Sequence, residues 1–139
     1  MARRADERRP AWAAAMETRE LDLADADGLA RGIEGADAVV HLAAMNARAC
    51  AADPAQAERI NVGGTENVVR AARAAGAGHV LYMSTAHVYA APLAGELDEE
   101  APTANAHAYA ATHRRAEDVV RAGGLTGTGF TGAGTSGSG

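Results

Sequence analysis

The hydrophobic pattern is clearest in two unbroken apolar runs, each bounded by turn-forming residues. "ADAVVHLAA" occupies residues 36–44 and "HVLYMST" occupies residues 79–85. An apolar run of this length is typical of a strand buried on both faces, as in a parallel sheet. "TRELDL", residues 18–23, alternates Leu with polar neighbours and predicts a further short strand.

Three helices are predicted between and after these strands. The first covers residues 25–35, the second is Ala-rich and runs from about residue 54 to residue 75, and the third covers residues 109–122. The residues expected to begin or end these helices by capping or turn chemistry are Asp25 or Asp27, Gly35, Pro54 and Gly76. This alternation of strands and helices indicates the α/β class, a parallel sheet with helices on both faces.

Composition divides the chain into three parts. Residues 1–17 show no clean period and are expected to be poorly ordered, residues 18–122 carry the sheet domain, and residues 123–139 form a Gly/Thr/Ser-rich flexible tail. The tail contains "GTGFTG" (127–132), a literal G-x-G-x-x-G match. We do not interpret it as a phosphate loop, because no strand precedes it and no helix follows it in the pattern.

Charge and cysteine content exclude several classes of function. The net charge is −5, and all 13 basic residues are Arg. No stretch is basic enough to replace nucleic-acid counterions, so no nucleic-acid partner is expected. Cys50 is the only cysteine, which excludes an internal disulfide. No apolar run reaches the roughly 18 residues of a membrane span, and no secretory signal is apparent, so a cytoplasmic protein without a membrane partner is expected.

Five short motifs follow one another along the middle of the chain. They are "LDLAD" (21–25), "DAVVHLAA" (37–44), "NVGGTENVVRAARAAG" (61–76), "VLYMSTAHVY" (80–89) and Y-x-x-x-H (109–113) followed by "AE". In this order and spacing they resemble the extended short-chain dehydrogenase/reductase family, of the NAD-dependent epimerase/dehydratase type. The resemblance implies a partial Rossmann-type sheet with flanking helices, NAD or NADP across the carboxyl ends of its strands, and hydride transfer on a nucleotide-sugar.

The resemblance assigns cofactor contacts to the ends of two strands. The Asp22 carboxylate resembles one that accepts from the adenine amino group, and Leu23 would donate its backbone amide. A turn or capping role for Asp22 stays open. Leu42, Ala43 and Ala44 resemble the strand end beside which the cofactor ribose lies, and they are also simply the end of a buried strand.

The same resemblance implies the catalytic residues. Tyr109 resembles the general acid/base, and Thr85 a hydroxyl that bonds both the reacting sugar oxygen and Tyr109, with Ser84 as the alternative. Asn61 resembles an Asn that braces the central strands. His113 shares a helix face with Tyr109 and stands where the family has Lys, so it is expected in both the catalytic and the cofactor-binding set. Neutral imidazole supplies no fixed charge, but it can donate to a ribose hydroxyl or to Tyr109.

Two family regions are not found in the sequence: the initial T-G-x-x-G-x-x-G turn that binds pyrophosphate, and the substrate-binding region after the Tyr helix. We therefore expect a truncated form with weak or no activity and weakened cofactor binding. The alternative is a non-catalytic binding or assembly module that uses exposed sheet edges to pair with a partner or, as a homo-oligomer, with a second copy. No metal site is expected, because the five His and one Cys show no ligand spacing.

Overall fold

Three short parallel strands form the sheet, and the helices that connect them lie against it. The computed structural model describes residues 11, 15–89, 98, 100–103 and 106–130. In chain order the elements are α1 (Ala26–Ile33), β1 (Ala38–His41), α2 (Ala47–Ala52), α3 (Pro54–Ala57), a π-helical segment (Glu58–Gly63), α4 (Gly64–Ala74), β2 (His79–Met83), a 3₁₀ turn (Ala86–Val88), α5 (Ala108–Ala122) and β3 (Thr126–Phe130).

The strand order is β1-β2-β3, and both pairings are parallel, as the α/β interpretation predicted. Val39 lies opposite Val80 and His41 opposite Tyr82, and all four side chains are on the face covered by α4 and α5. The core cluster on this face also takes in residues of α4, the following turn and α5: Val69, Ala72, Ala77, Ala116 and Val120.

The other face of the sheet differs from the prediction of helices on both faces. The side chains of Ala38 and Val40 on this face of β1 are exposed, and α1 packs against α4. Val40 is 58% exposed and Leu42, just beyond β1, is 64% exposed. These large apolar side chains point away from the core because side chains alternate along a strand.

The predicted long helix is helical throughout but not uniform. Pro54 begins it, as predicted, and the Asp53 carboxylate caps it by accepting from the Gln56 amide at 2.8 Å. The segment Glu58–Gly63 is π-helical, and α4 then ends at Ala74, before Gly76 with its φ of +75°. Gly76 takes the left-handed conformation that favours glycine after a helix.

The ends of the other two predicted helices are also confirmed. Asp25 caps α1, its carboxylate accepting from the Gly28 amide, and Gly35 turns the chain after it with a φ of +76°. The third helix is α5, which begins at Ala108, contains Tyr109 and His113, and ends at Ala122, as predicted. The acid/base candidates therefore lie on a regular helix, and their spacing sets a common face.

Three predictions of local structure were wrong. Residues 18–23 form no strand, because no described strand adjoins them to complete a hydrogen-bond ladder. The helix α2 was missed, although Asn46 caps it by accepting from the Ala49 amide. Part of the predicted flexible tail, Thr126–Phe130, is strand β3, since the backbone of β2 offers it a parallel partner despite its Gly/Thr composition. "GTGFTG" thus starts within a strand; its last two residues lie outside the described residues.

Candidate active site

The carboxyl ends of β1 and β2 lie at the same edge of the sheet, where open α/β folds bind their ligands. Leu42, Ala43 and Ala44 follow β1 and are all exposed. Ser84 and Thr85 follow β2, and Ser84 is buried whereas Thr85 is half-buried. The structure therefore brings two of the predicted groups of residues to one accessible edge.

Asp22 and Leu23 lie in a turn that leads into α1. The Asp22 carboxylate accepts from the Ala24 amide at 2.9 Å, and its backbone carbonyl accepts from the Asp25 amide at 3.0 Å. The Leu23 carbonyl accepts from the side-chain amide of Asn67 at 2.8 Å, which ties this turn to α4. Asp22 thus holds a turn, the role that the sequence left open, and its carboxylate is exposed to an incoming ligand.

Asn61 joins three segments behind the site. It is only 1% exposed, and its Oδ1 accepts from the Met45 amide at 2.8 Å. Its Nδ2 donates to Thr112 Oγ1 on α5 at 3.0 Å. The π-helical turn directs this side chain inward. The expected bracing of the central strands is not seen, because the side-chain partners in the described residues lie in the loop after β1 and in the helices, and Asn61 instead braces that loop against α5.

The two hydroxyls after β2 have different roles. Thr85 Oγ1 accepts from the His87 amide at 3.2 Å and caps the 3₁₀ turn. Ser84 Oγ donates to the Glu117 carboxylate at 2.5 Å inside the protein. Thr85 is therefore the more accessible of the two, although the hydrogen bond expected between Thr85 and Tyr109 is not among those of the described residues.

Tyr109 is half-buried at the start of α5, and two imidazole rings contact its ring. The His113 ring lies edge-on at a centroid distance of 4.5 Å, and the His87 ring lies at 6.1 Å. A cavity of about 310 Å³ opens beside the phenol and is lined by Ala47, His87, His107, Tyr109 and Ala110. The predicted pair of Tyr109 and His113 is thus in contact, next to a space that can admit a small ligand.

His113 is turned into the protein and not towards this cavity. It is 3% exposed, and its Nδ1 lies 2.6 Å from the hydroxyl of Tyr82 on β2. Burial lowers the pKa of His113 below its ordinary value, and the Glu117 charge opposes this only in part. Its Nε2 is buried and has no hydrogen-bond partner among the described residues. His113 is therefore a neutral imidazole at neutral pH.

Tyr82 and Glu117 are site residues that the sequence reasoning missed. Burial, and after it the Glu117 charge, raises the pKa of Tyr82, so the phenol keeps its proton. Glu117 is buried and accepts from Ser84 and, at 3.0 Å, from Arg121. The sequence did contain indications of both residues. Glu117 lies four residues after His113, which places both on one helix face, and Tyr82 lies two residues before Ser84, which places both on one face of a strand.

A second buried imidazole lies beside this cluster. His41 Nε2 is 3.1 Å from Thr65 Oγ1, and the Thr65 hydroxyl donates to the Asn61 carbonyl at 2.5 Å. Because that hydroxyl has one proton and uses it on the carbonyl, His41 must be the donor to Thr65. Burial lowers the pKa of His41 to about 4, with the nearby His113 as the smaller cause.

A nicotinamide cofactor fits this edge in part. The strand end at residues 42–44 is exposed at this edge, and Asp22 is exposed in the turn before α1. His113 does not fit, because both of its ring nitrogens are enclosed and neither faces the edge.

Among the described residues, no three side chains of His, Cys, Asp or Glu are arranged to hold a metal ion. None of the described helices has the length and apolar character needed to cross a bilayer.

Comparison with known proteins gives one curated relative and a group of solved structures. Over 69 residues the chain is 46% identical to an L-arabinose 1-dehydrogenase (NAD(P)(+)) of Haloferax volcanii, covering 50% of this chain and 26% of that protein. A dTDP-glucose 4,6-dehydratase from Streptomyces venezuelae, solved with NAD bound, is 35% identical with a TM-score of 0.68, covering 73% of this chain and 32% of that one.

A UDP-Glc/GlcNAc 4-epimerase from Campylobacter jejuni is 27% identical with a TM-score of 0.72, covering 81% of this chain and 35% of that one. The chain therefore spans about a third of the length of these structures. The model of the NAD dependent epimerase/dehydratase family matches residues 1–133. With the parallel sheet and the Tyr109 helix in place, this match shows that the chain belongs to the NAD-dependent epimerase/dehydratase family.

Proposed function

We propose that this chain carries the acid/base segment of an NAD(P)-dependent enzyme for nucleotide-sugars, in a form with weak or no turnover. In this proposal Tyr109 is the acid/base, Thr85 contacts the sugar oxygen, and Asp22, Leu23 and residues 42–44 lie along the cofactor. NAD or NADP, when bound, supplies hydride acceptance and donation. The observation that carries the proposal is the position of His113, in ring contact with Tyr109 and yet enclosed.

The reason for weak turnover is electrostatic. A phenol in water has a pKa of about 10, so a phenol that acts as a base near neutral pH needs a neighbouring fixed positive charge. His113 is neutral because burial lowers its pKa, and its Nδ1 is already bonded to Tyr82. We therefore expect slow proton transfer at Tyr109.

The substrate class follows from the family and its relatives. The similar structures are named as acting on dTDP-glucose or on UDP-Glc/GlcNAc, and the curated relative as acting on L-arabinose. The cavity beside Tyr109 is lined by hydrogen-bonding side chains together with two small Ala residues. A pyranose ring with hydroxyls at one edge suits such a lining.

Cofactor binding and turnover test this proposal. NADH and NADPH are titrated onto the chain by fluorescence. Turnover is then followed as loss of dTDP-glucose or UDP-glucose, whose overall conversion leaves NAD unchanged, and as NAD reduction with free L-arabinose. We expect weak cofactor binding and at most slow turnover, abolished in Tyr109→Phe. Rapid turnover by the unmodified chain, or a measurable rate that Tyr109→Phe leaves unchanged, would contradict the proposal.

The role of position 113 is tested by His113→Lys against His113→Gln. Both variants lose the imidazole and its bond to Tyr82, but only the first adds an ammonium beside Tyr109. If cofactor binds, we expect His113→Lys to turn over faster than the original chain. We expect His113→Gln to be no faster than the original chain. Equal rates in the two variants would show that charge at this position does not limit the reaction.

A second candidate function is an assembly module, favoured by the exposed apolar face of the sheet. Val40, Leu42 and Met83 are exposed there, and the edge of β1 away from β2 has no partner strand among the described residues. Light scattering after size exclusion tests this, with Val40→Lys as the variant and Glu66→Lys on α4 as the control. A monomer at all concentrations would remove this candidate, whereas a dimer lost only in Val40→Lys would support it.

A further inference from the structure

The bond between Tyr82 and His113 determines where the imidazole proton lies. Tyr82 is 1% exposed, and its hydroxyl lies 2.6 Å from His113 Nδ1. Neither side chain makes another hydrogen bond within the part of the chain that the structure describes. A neutral imidazole carries one proton, on either Nδ1 or Nε2, and the two arrangements leave different groups unsatisfied.

If the proton were on Nδ1, His113 would donate to the phenol oxygen. The phenolic O–H of Tyr82 and the lone pair of Nε2 would then both be buried without partners. If the proton is on Nε2, Tyr82 donates to Nδ1 and only the Nε2–H is left. An unsatisfied buried polar group costs about 1–3 kcal/mol, so the arrangement with one such group is favoured over the arrangement with two.

We propose that Tyr82 is a positioning residue that donates its proton to Nδ1 of His113, which fixes His113 as the Nε2-protonated tautomer and holds its ring edge-on to Tyr109. Any effect of Tyr82 on catalysis, through the position of His113 and Tyr109, rests on the proposed function of Tyr109. The tautomer and the ring contact do not depend on that function. Tyr82 acts here through His113 and touches neither cofactor nor substrate.

The groups around this pair do not compete for the phenolic proton. Glu117 lies on the same helix face, but one of its oxygens accepts from Ser84 and the other from Arg121. His41, on β1, contacts the Tyr82 ring at a centroid distance of 5.4 Å and donates its own Nε2–H to Thr65. His113 Nδ1 is therefore the acceptor that remains for Tyr82.

The position of Tyr109 follows from this arrangement. The hydrogen bond fixes the plane of the His113 ring, because a ring that accepts at Nδ1 cannot rotate without breaking the bond. Tyr109 packs against that ring at 67° between planes and has no hydrogen bond of its own through the phenol among the described residues. Loss of the Tyr82 hydroxyl should therefore free both rings while leaving the apolar packing of the Tyr82 ring in place.

The experiment is nuclear magnetic resonance of the full chain with labelled imidazole nitrogens, near neutral pH and without cofactor. Long-range proton–nitrogen correlations report which nitrogen of each His is protonated. The variant is Tyr82→Phe, and the matched control is Tyr89→Phe, which removes the same atom from a half-buried phenol without a hydrogen bond in the described residues. His41 serves as an internal reference for an Nε2-protonated ring.

We expect a single Nε2-protonated tautomer for His113 in the original chain and in Tyr89→Phe, and a mixture of tautomers in Tyr82→Phe. The nuclear Overhauser contact between the rings of Tyr109 and His113 should weaken in Tyr82→Phe alone. A proton on Nδ1 in the original chain would overturn the proposal even if Tyr82→Phe fails to fold. An unchanged tautomer or ring contact in folded Tyr82→Phe would also overturn it. Cofactor titration is separate, so failure of NAD(P) binding would contradict only the proposed function.

Discussion

Acidification should unfold this protein through a buried histidine. His41 is 4% exposed, and burial lowers its pKa from 6.5 to about 4. Below pH 6.5 the unfolded chain takes up a proton at His41 that the folded chain does not. Stability is therefore fully present above pH 6.5 and is lost progressively as the pH falls towards 4.

The size of the effect follows from the two pKa values. A pKa lowered from 6.5 to about 4 corresponds to about 3 kcal/mol in the free energy of unfolding, once both states are protonated. Between about pH 7 and pH 5 the expected loss is about 2 kcal/mol. The pKa of His113 is lowered as well, and it adds to the loss with the same sign. For a domain of this size such a loss is a large share of the total stability.

The assay is urea unfolding followed by circular dichroism at a series of pH values. His41→Asn removes the titrating group, so its stability should fall less steeply with pH than that of the original chain. His79→Gln is the matched control, because it removes an imidazole that is exposed at the start of β2. Equal slopes in the original chain and in His41→Asn, or greater stability at acid pH, would refute the reasoning.

Three further predictions concern the supports of the site. Asn61→Ala removes the three hydrogen bonds of a buried side-chain amide and should cost about 2–4 kcal/mol in urea unfolding; a loss below about 1 kcal/mol would contradict the bracing role. In thermal unfolding Gly64→Ala should destabilise the protein, because a methyl group there comes within 3.0 Å of the Leu23 side chain. Gly63→Ala places its methyl group in open space and should stabilise the protein by about 0.5–1 kcal/mol. The reverse order would contradict this packing. Tyr109→Phe should leave the melting temperature unchanged while abolishing any turnover, and a large stability loss would show an unrecognised bond.

The parts of the fold predicted from sequence are those that local chemistry decides. The apolar runs predicted strands β1 and β2, although only one face of each strand is buried. Asp25 begins a helix through its side-chain cap, and Pro54 and Gly76 begin or end one through their backbone preferences. The formation of strand β3 depends instead on a partner strand. Its Gly/Thr-rich sequence is typical of a linker, and only the parallel ladder with β2 makes it a strand.

In the candidate site, too, the sequence predicted what local spacing decides and missed what depends on packing between distant segments. Helical spacing placed Tyr109 and His113 on one face, and the structure confirms their contact. Spacing gave no information on whether the imidazole meets a ligand or the protein. That choice depends on Tyr82, which is 31 residues away in the chain and reaches His113 only once β2 and α5 pack together.

Measuring the charge of His113 at neutral pH tests the proposed function most directly, because the proposed weak turnover depends on a neutral side chain beside Tyr109. Its imidazole resonances are followed in the full chain as the pH is lowered from about 8. We expect a neutral ring at pH 7 and a midpoint below the ordinary 6.5, since burial lowers the pKa of His113. A protonated ring at pH 7 would contradict it, because Tyr109 would then have the positive neighbour that its chemistry requires.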